Sequence, residues 1–166
     1  VDYTRPGFAV VYLEGEPPPA GTLRINLDAS RLGPRMEPMN GAVGLGGKVI
    51  VRNETSEPHI VSCPELNFLK RVSPGDEASI DTVEQGSHRV FMLDAPAVSA
   101  TFFVAPGPFT VVGSDGRWQI EGVNPGVKKL RAWHPRFPPS LREVEAPGSK
   151  VIEVNLELAV DEPASL

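Results

Sequence analysis

The chain has 166 residues, among them 18 prolines and 16 glycines, and carries a formal net charge of −5. This length suits one domain or two small lobes. The negative charge argues against a nucleic-acid-binding protein, which presents concentrated basic surface, and no apolar run approaches the roughly 20 residues of a membrane-spanning helix. The prolines and glycines are spread among short apolar runs, a pattern typical of many short strands and turns.

Cys63 is the single cysteine of the sequence. One cysteine excludes an intramolecular disulfide but does not fix the redox compartment. Because the first residue is Val1 and not methionine, we expect a mature or trimmed form from which any export signal has been removed.

The first two thirds of the chain read as short β-strands. We predict strands at residues 8–13, 22–27, 48–53, 59–63, 78–83, 88–93 and 99–104. The clearest alternation is that of Leu23, Ile25 and Leu27, which share one face of a strand. Residues 28–47, rich in Gly, Pro, Met and Asn, are expected to form a long loop with room for one short strand.

Residues 105–108 (Ala-Pro-Gly-Pro) are predicted to be the boundary between two lobes, with Phe102, Phe103 and Phe109 packed at a shared interface. Beyond them we predict strands at residues 109–112, 117–120, 127–133, 141–145 and 150–158, a hairpin turn at Asp115-Gly116 and a rigid loop at 134–139. Trp118 and Trp133 are expected to anchor this small lobe. No segment has a convincing helical period, so the predicted class is all-β.

Three short runs resemble the first half of a cupredoxin-like (plastocyanin-like) domain: residues 49–53 (Val-Ile-Val-Arg-Asn), 59–62 (His-Ile-Val-Ser) and 72–75 (Val-Ser-Pro-Gly). Three later runs resemble carboxypeptidase-regulatory-like modules of the transthyretin type: residues 114–120 (Ser-Asp-Gly-Arg-Trp-Gln-Ile), 124–126 (Asn-Pro-Gly) and 130–135 (Leu-Arg-Ala-Trp-His-Pro). Together with residues 10–15 (Val-Val-Tyr-Leu-Glu-Gly), the order is similar to that of bacterial exported proteins of the plastocyanin-like or methylamine-utilisation-like kind.

This resemblance spans roughly residues 8–158. It implies a cupredoxin-like Greek-key β-sandwich over residues 1–105, a small transthyretin-like (prealbumin-like) β-sandwich over 106–160, and a tail at 161–166. It also implies a location outside the cytoplasm, in the periplasm or the extracellular space.

The resemblance further implies where copper ligands would lie. His59 matches the first histidine of the family, whereas the later cysteine, histidine and methionine positions fall near Met92, Ala95 and Val98. A blue-copper site needs two histidines and one cysteine, so we expect no such site. A vestigial soft site made by His59 with Met92 is the alternative.

The other histidines and the basic residues suggest few sites. His88 is expected at the surface, and His134 is expected to cap a strand end. Cys63 lies four residues after His59 on one predicted strand, roughly 13 Å away at the usual rise, which is too far for one metal ion unless a turn intervenes. Lys128, Lys129, Arg131 and Arg136 make the tail locally basic, either as a solvated sheet face or as a surface for an anionic partner.

These patterns favour a non-enzymatic, exported binding or assembly module with a protein partner and no cofactor. Its exposed patch would lie near Phe109 and Trp118, or on the 28–47 loop. The alternative is a copper-binding or electron-transfer protein that uses His59. An enzyme would need converging titratable groups in a cleft, a pattern the sequence does not contain.

Overall fold

The computed structural model describes residues 7–146 and 151–158. Within these residues the chain forms thirteen strands and one 3₁₀ turn, η1 (Pro64–Leu66). The strands are β1 (Val10–Glu14), β2 (Thr22–Ser30), β3 (Gly33–Glu37), β4 (Asn40–Gly44), β5 (Lys48–Asn53), β6 (His59–Cys63), β7 (Phe68–Val72), β8 (Glu77–Asp81), β9 (Gly86–Met92), β10 (Ser99–Ala105), β11 (Phe109–Val111), β12 (Gly126–His134) and β13 (Phe137–Ala146).

The predicted all-β class is confirmed, and the described residues contain no helix that is both long and apolar enough to cross a membrane. The chain divides into two compact units. One comprises residues 19–105, and the described part of the other comprises 7–18, 106–146 and 151–158.

The 19–105 unit is a β-sandwich of two sheets. One sheet has five strands in the order β4-β10-β9-β6-β7, and the other has four in the order β3-β2-β5-β8. Most neighbours are antiparallel, but β4 with β10 and β2 with β5 are parallel pairs. Parallel neighbours need long crossover connections, so the order of the strands departs from a simple meander.

Both sheets of this unit contribute alternate residues to one apolar core. Ile25 and Leu27 of β2, Val49 and Val51 of β5, and Phe102 of β10 are all at most 1 % exposed and belong to that core. Period-two alternation assigns one face of each strand to the interior, which is why the alternation of residues 22–27 correctly predicted the buried face of β2.

The other unit is built on one four-stranded sheet in the order β11-β1-β12-β13. On one face of it, Val11, Leu13, Leu130 and Ala132 are buried. Half-buried apolar residues from outside the strands pack against them, namely Trp118, Ile120, Val123, Val154, Leu156 and Leu158. The predicted anchoring role of Trp118 agrees with this contact, and Trp133 lies edge-on to Phe8 with ring centroids 6.0 Å apart.

The units differ from the predicted boundaries at the start of the chain. The sequence predicted one domain over residues 1–105. In the structure, β1 of this range pairs antiparallel with β11 and β12, which lie beyond residue 105. The pairing draws residues 7–18 into the second unit. Sequence periodicity identifies a strand but carries no information about its partner, which explains the difference. The predicted packing of the lobes stays a prediction.

Several predicted elements need correction. Residues 28–47 are not a long loop: β2 extends to Ser30, and β3 and β4 follow. The predicted rigid loop 134–139 is a two-residue turn at Pro135 and Arg136 between β12 and β13. Strand β7 was missed, because its Lys-Arg pair interrupts the apolar run.

The predicted strands at 117–120 and 150–158 are also not observed over the described residues. Gly113 and Arg117 close the predicted Asp-Gly turn, because the Gly113 N–H donates to the Arg117 carbonyl at 2.8 Å. Residues 151–158 still alternate, with Val154, Leu156 and Leu158 facing the sheet. Residue 150 and the predicted tail 161–166 lie outside the described residues, and the transthyretin-like sandwich stays a prediction.

Gly107 marks a close approach of the chain to β1. It is buried, and a Cβ atom built on it would lie 1.9 Å from the Leu13 carbonyl oxygen. The neighbouring Pro108 carbonyl accepts a hydrogen bond from the Leu13 N–H at 2.9 Å. Only glycine lets the two backbones come this close.

We therefore expect Gly107→Ala to destabilise the protein by about 3 kcal/mol, because the backbone of β1 must move to admit the methyl group. Chemical denaturation measures this change. Gly21→Ala is the control, since its Cβ meets nothing within 4 Å. Equal stability of the two variants would contradict the close approach.

Trp118→Ala should destabilise by about 2 kcal/mol, less than the 3–5 kcal/mol typical of fully buried tryptophan, because the ring is half-buried. Trp118→Phe should recover much of the loss, since it keeps an aromatic ring over the apolar cluster. A thermal unfolding midpoint unchanged in Trp118→Ala would show that the ring does not stabilise this unit.

Candidate functional site

The residues that the sequence singled out for metal binding lie at one end of the 19–105 sandwich. His59 begins β6, and the connection from β9 to β10 runs through residues 93–98 beside it. The two strands β6 and β9 are antiparallel neighbours, with Val61 opposite Met92. The start of β6 therefore meets the loop that follows β9.

Both ring nitrogens of His59 have partners in the protein. Nδ1 lies 3.3 Å from the Asp94 carboxylate oxygen Oδ2, and Nε2 lies 3.0 Å from the Thr55 hydroxyl oxygen. The side chain is 12 % exposed. A metal ion could reach either nitrogen only by displacing one of these partners.

Thr55 joins His59 to a buried amide. The fully buried Asn53 accepts hydrogen bonds at its Oδ1 atom from the Thr55 N–H (2.9 Å) and the Thr55 hydroxyl (2.7 Å). Its Nδ2 atom donates to the carbonyls of Glu57 (2.7 Å) and Val72 (3.0 Å). This network fixes the connection between β5 and β6, and with it the position of His59.

The loop after β9 is closed by its own backbone. The Met92 N–H donates to the Val98 carbonyl at 3.0 Å, and the Val98 N–H donates to the Ala95 carbonyl at 2.8 Å. Ala95 and Val98 are half-buried and pack against the core, and Met92 is 1 % exposed within it. The positions that the resemblance assigned to copper ligands thus hold apolar side chains that take part in core packing.

Cys63 does not complete a site with His59. The two residues begin and end the same strand without a turn between them, so the rise of a strand separates them by roughly 13 Å. The Cys63 thiol is buried and lies 3.8 Å from the Glu65 carboxylate. Burial, together with that negative charge, raises the pKa of Cys63 from 9.0 to about 12.

These residues do not fit a blue-copper centre, which requires two imidazoles and a thiolate around one point. In the part of the chain that the structure describes, no group of three or more His, Cys, Asp and Glu side chains could hold a metal ion. Asp94, which lies in the loop between β9 and β10, is the carboxylate that faces His59. The sequence shows that Asp94 follows the strand predicted at residues 88–93, but it does not show which residue Asp94 contacts.

The other two histidines, His88 and His134, are buried. His88 was expected at the surface, but it is 4 % exposed, because the alternation of β9 points it inward with Val90 and Met92. Its Nε2 atom lies 2.8 Å from the Glu84 carbonyl. His134 ends β12 and accepts a hydrogen bond at Nδ1 from the Arg136 N–H at 3.0 Å, in agreement with its expected role at a strand end.

The predicted basic surface is divided between two faces. On β12, Lys128 lies on the same face as the buried Leu130, whereas Lys129 and Arg131 alternate to the opposite face. Lys128 pairs with Glu16, and Arg131 pairs with Glu14. Arg136 lies in the exposed turn after β12. Carboxylates therefore neutralise part of this surface. Its role as a binding site for an anionic partner stays a prediction.

The other predicted patch residues and a cavity beside β13 show no catalytic arrangement. Trp118 packs on the sheet, and residues 28–47 form mostly strands. A shallow cavity of about 340 Å³ is lined by Ser140, Leu141, Arg142, Asn155, Leu156 and Glu157. There Arg142 donates to the Asn155 carbonyl at 2.6 Å, and no histidine or cysteine lines the cavity to activate Ser140 or act as a nucleophile.

Comparisons with known proteins find similarity to solved structures only. No protein-family model matches the chain, and no curated protein sequence does. The chain is similar to the solved structure of a purple cupredoxin from Nitrosopumilus maritimus, with 20 % identity, 49 % of this chain and 98 % of that chain covered, and a TM-score of 0.43.

Two further similarities are to cupredoxins. A Cu(I) amicyanin variant shares 16 % identity over 57 % of this chain and 97 % of its own, with a TM-score of 0.43. Pseudoazurin from Hyphomicrobium denitrificans shares 13 % identity over 51 % of this chain and 75 % of its own, with a TM-score of 0.41.

Removing the buried amide of Asn53 should destabilise the protein. Asn53→Ala removes a donor from the carbonyls of Val72 and Glu57 and the acceptor of the Thr55 N–H. The buried Val72 contact contributes most to the expected cost of about 3 kcal/mol. Asn53→Asp should cost at least as much at neutral pH, because it places a carboxylate against the Glu57 and Val72 carbonyl oxygens. Urea denaturation checks both, with the exposed Asn40→Ala as control.

Cys63 should be unreactive in the folded protein. With its pKa raised to about 12, the thiol is protonated at about pH 8, and alkylation needs the thiolate. Iodoacetamide should label the unfolded chain but not the folded one, as mass spectrometry would show. Fast labelling of the folded protein would mean that the thiol is open to solvent.

The same shift predicts an alkaline loss of stability. Below the ordinary thiol pKa of 9.0 both states hold the proton. Above it the unfolded thiol ionises while the folded thiol does not, so stability falls as pH rises from 9.0 towards about 12. The fall should be smaller in Cys63→Val than in the parent protein.

Proposed function

We propose that this chain is a non-enzymatic binding or assembly module that works outside the bacterial cytoplasm, on a cupredoxin-like sandwich without a blue-copper site. The main support for the proposal is that the side chains at the His59 end of the sandwich already have partners within the protein. Both imidazole nitrogens have protein partners, and Ala95 and Val98 pack against the core. A site kept for copper would present free ligand atoms converging on one point.

The non-enzymatic part of the proposal is supported by the chemistry of the described side chains. His88 and Cys63 are buried, and His134 is held at a strand end. None of these groups lines the cavity beside β13. General acid–base catalysis needs such a group within reach of a substrate. The location outside the cytoplasm is proposed from the sequence resemblance alone.

A copper-binding or electron-transfer role for His59 is the second candidate. It is favoured by the approach of an imidazole nitrogen and a carboxylate to 3.3 Å of one another, since both groups ligate transition metals. Met92 would have to leave the core to join them, because its side chain is 1 % exposed. This role therefore requires a rearrangement of the loop after β9.

Titration with copper separates the two candidates. We expect neither Cu(I) nor Cu(II) to bind stoichiometrically at the sandwich end, and Cu(II) to give no intense visible absorption of a copper–thiolate bond. Calorimetry and visible spectroscopy measure these outcomes, with His59→Ala and the buried-histidine control His88→Ala as variants. Tight binding of one copper ion that only His59→Ala abolishes would overturn the proposal.

A further inference from the structure

The outward face of the five-stranded sheet carries an exposed apolar patch. Because Val61, Val90 and Met92 point into the core, strand alternation turns their neighbours outward. Leu69 is 64 % exposed, Leu93 49 % and Ile60 38 %, and Phe91 is half-buried. We call these four residues, Ile60, Leu69, Phe91 and Leu93, the outer patch.

The register of three adjacent strands makes the outer patch continuous. Ser62 of β6 lies opposite Leu69 of β7 on one side and opposite Phe91 of β9 on the other. In the next row Ile60 lies opposite Arg71, and its carbonyl accepts the Leu93 N–H at 2.8 Å. Adjacent strands of a sheet are about 4.8 Å apart, so these side chains form a compact group.

Two arginines border the outer patch. Arg71 of β7 occupies the row of Ile60, and Arg89 of β9 lies over the Phe91 ring at 5.6 Å from its centroid. Arg89 also donates to the Pro96 carbonyl at 2.6 Å. Neither forms an ion pair with a described residue, and the outward positions of β6, β7, β9 and β10 contain no Asp or Glu.

The other sheet of the same unit is built differently. Its outward face carries a chain of ion pairs in which Arg24 and Arg52 contact Glu77 at 3.1 and 3.5 Å, and Arg52 contacts Glu54 at 3.3 Å. That face balances its own charge and suits direct contact with water. The face with the outer patch leaves its positive charge unbalanced beside exposed apolar surface.

We infer that the outer patch is a docking surface for a protein segment that presents apolar side chains together with carboxylates. Exposed apolar groups rimmed by polar residues mark interaction sites, and the unbalanced arginines select negative charge. A second copy of this chain is a poorer occupant. Docking of two such faces would bring four arginines together with no carboxylate between them. This inference rests on the proposed function, whose binding site it names.

Three fluorescent peptides of equal length test the chemistry of the partner. One alternates leucine and glutamate, the second leucine and lysine, and the third serine and glutamate. We expect the full chain to bind the leucine–glutamate peptide saturably in an anisotropy assay, and to bind the other two at least about tenfold more weakly. Added salt should weaken the binding, because exposed charges are screened.

Matched variants locate the binding. Leu69→Ser and Arg71→Gln should each weaken it by about tenfold, as the loss of an interface anchor does. Leu32→Ser and Arg35→Gln should leave it unchanged, since both side chains are exposed on β3 or its preceding turn. Circular dichroism and the thermal midpoint verify folding, and Leu93→Ser replaces Leu69→Ser if the latter does not fold.

Each other outcome contradicts the inference. Absence of leucine–glutamate binding, equal binding of all three peptides, or equal loss in the patch and control variants would rule out this surface. So would a dimer in sedimentation equilibrium that Leu69→Ser abolishes, because the occupant would then be a second copy. Copper bound at His59 would contradict the proposed function. That result is independent of the peptide assay, so the two outcomes can be told apart.

Discussion

The structure of residues 19–105 depends on the sharing of one apolar core by two sheets. Alternate residues of β5, β6, β9 and β10 are committed to that core, so their neighbours must face outward. A slip of one residue in any strand would exchange the two sets. Burial of Val61, Val90 and Met92 therefore fixes both the His59 end of the sandwich and the exposure of Leu69 and Leu93.

At the His59 end of the described sandwich, polar contacts occupy both imidazole nitrogens of His59, and Ala95 and Val98 pack against the core. Asn53 is fully buried and holds the turn through Thr55, which also contacts His59. The loop after β9 returns to the core through Val98. A buried, satisfied network of this kind is rigid and costly to disturb. These groups stabilise the end of the sandwich. The exposed apolar side chains of the outer patch and the arginines without ion-pair partners lie elsewhere, on the outward face of the five-stranded sheet.

The sequence predicted the class of fold and the bounds of β5 and β6, because these strands are compact apolar runs between strong turns. It assigned β1 to the wrong unit, allowed one short strand where β3 and β4 both form, and missed β7, since pairing partners and half-buried strands leave little local signal. It identified His59 but not its contacts with Thr55 and Asp94, which come from separate loops. The outer patch was missed because Leu69 and Phe91 meet only across β6.

His59 contacts both Thr55 and Asp94 at the end of the sandwich, and we propose that it holds this end together without binding a metal ion. The metal content of the full chain, purified without chelator and measured by inductively coupled plasma mass spectrometry, tests it most directly. We expect the copper content to be far below one atom per chain and to be unchanged in His59→Ala. One copper atom per chain, lost on that substitution, would contradict it.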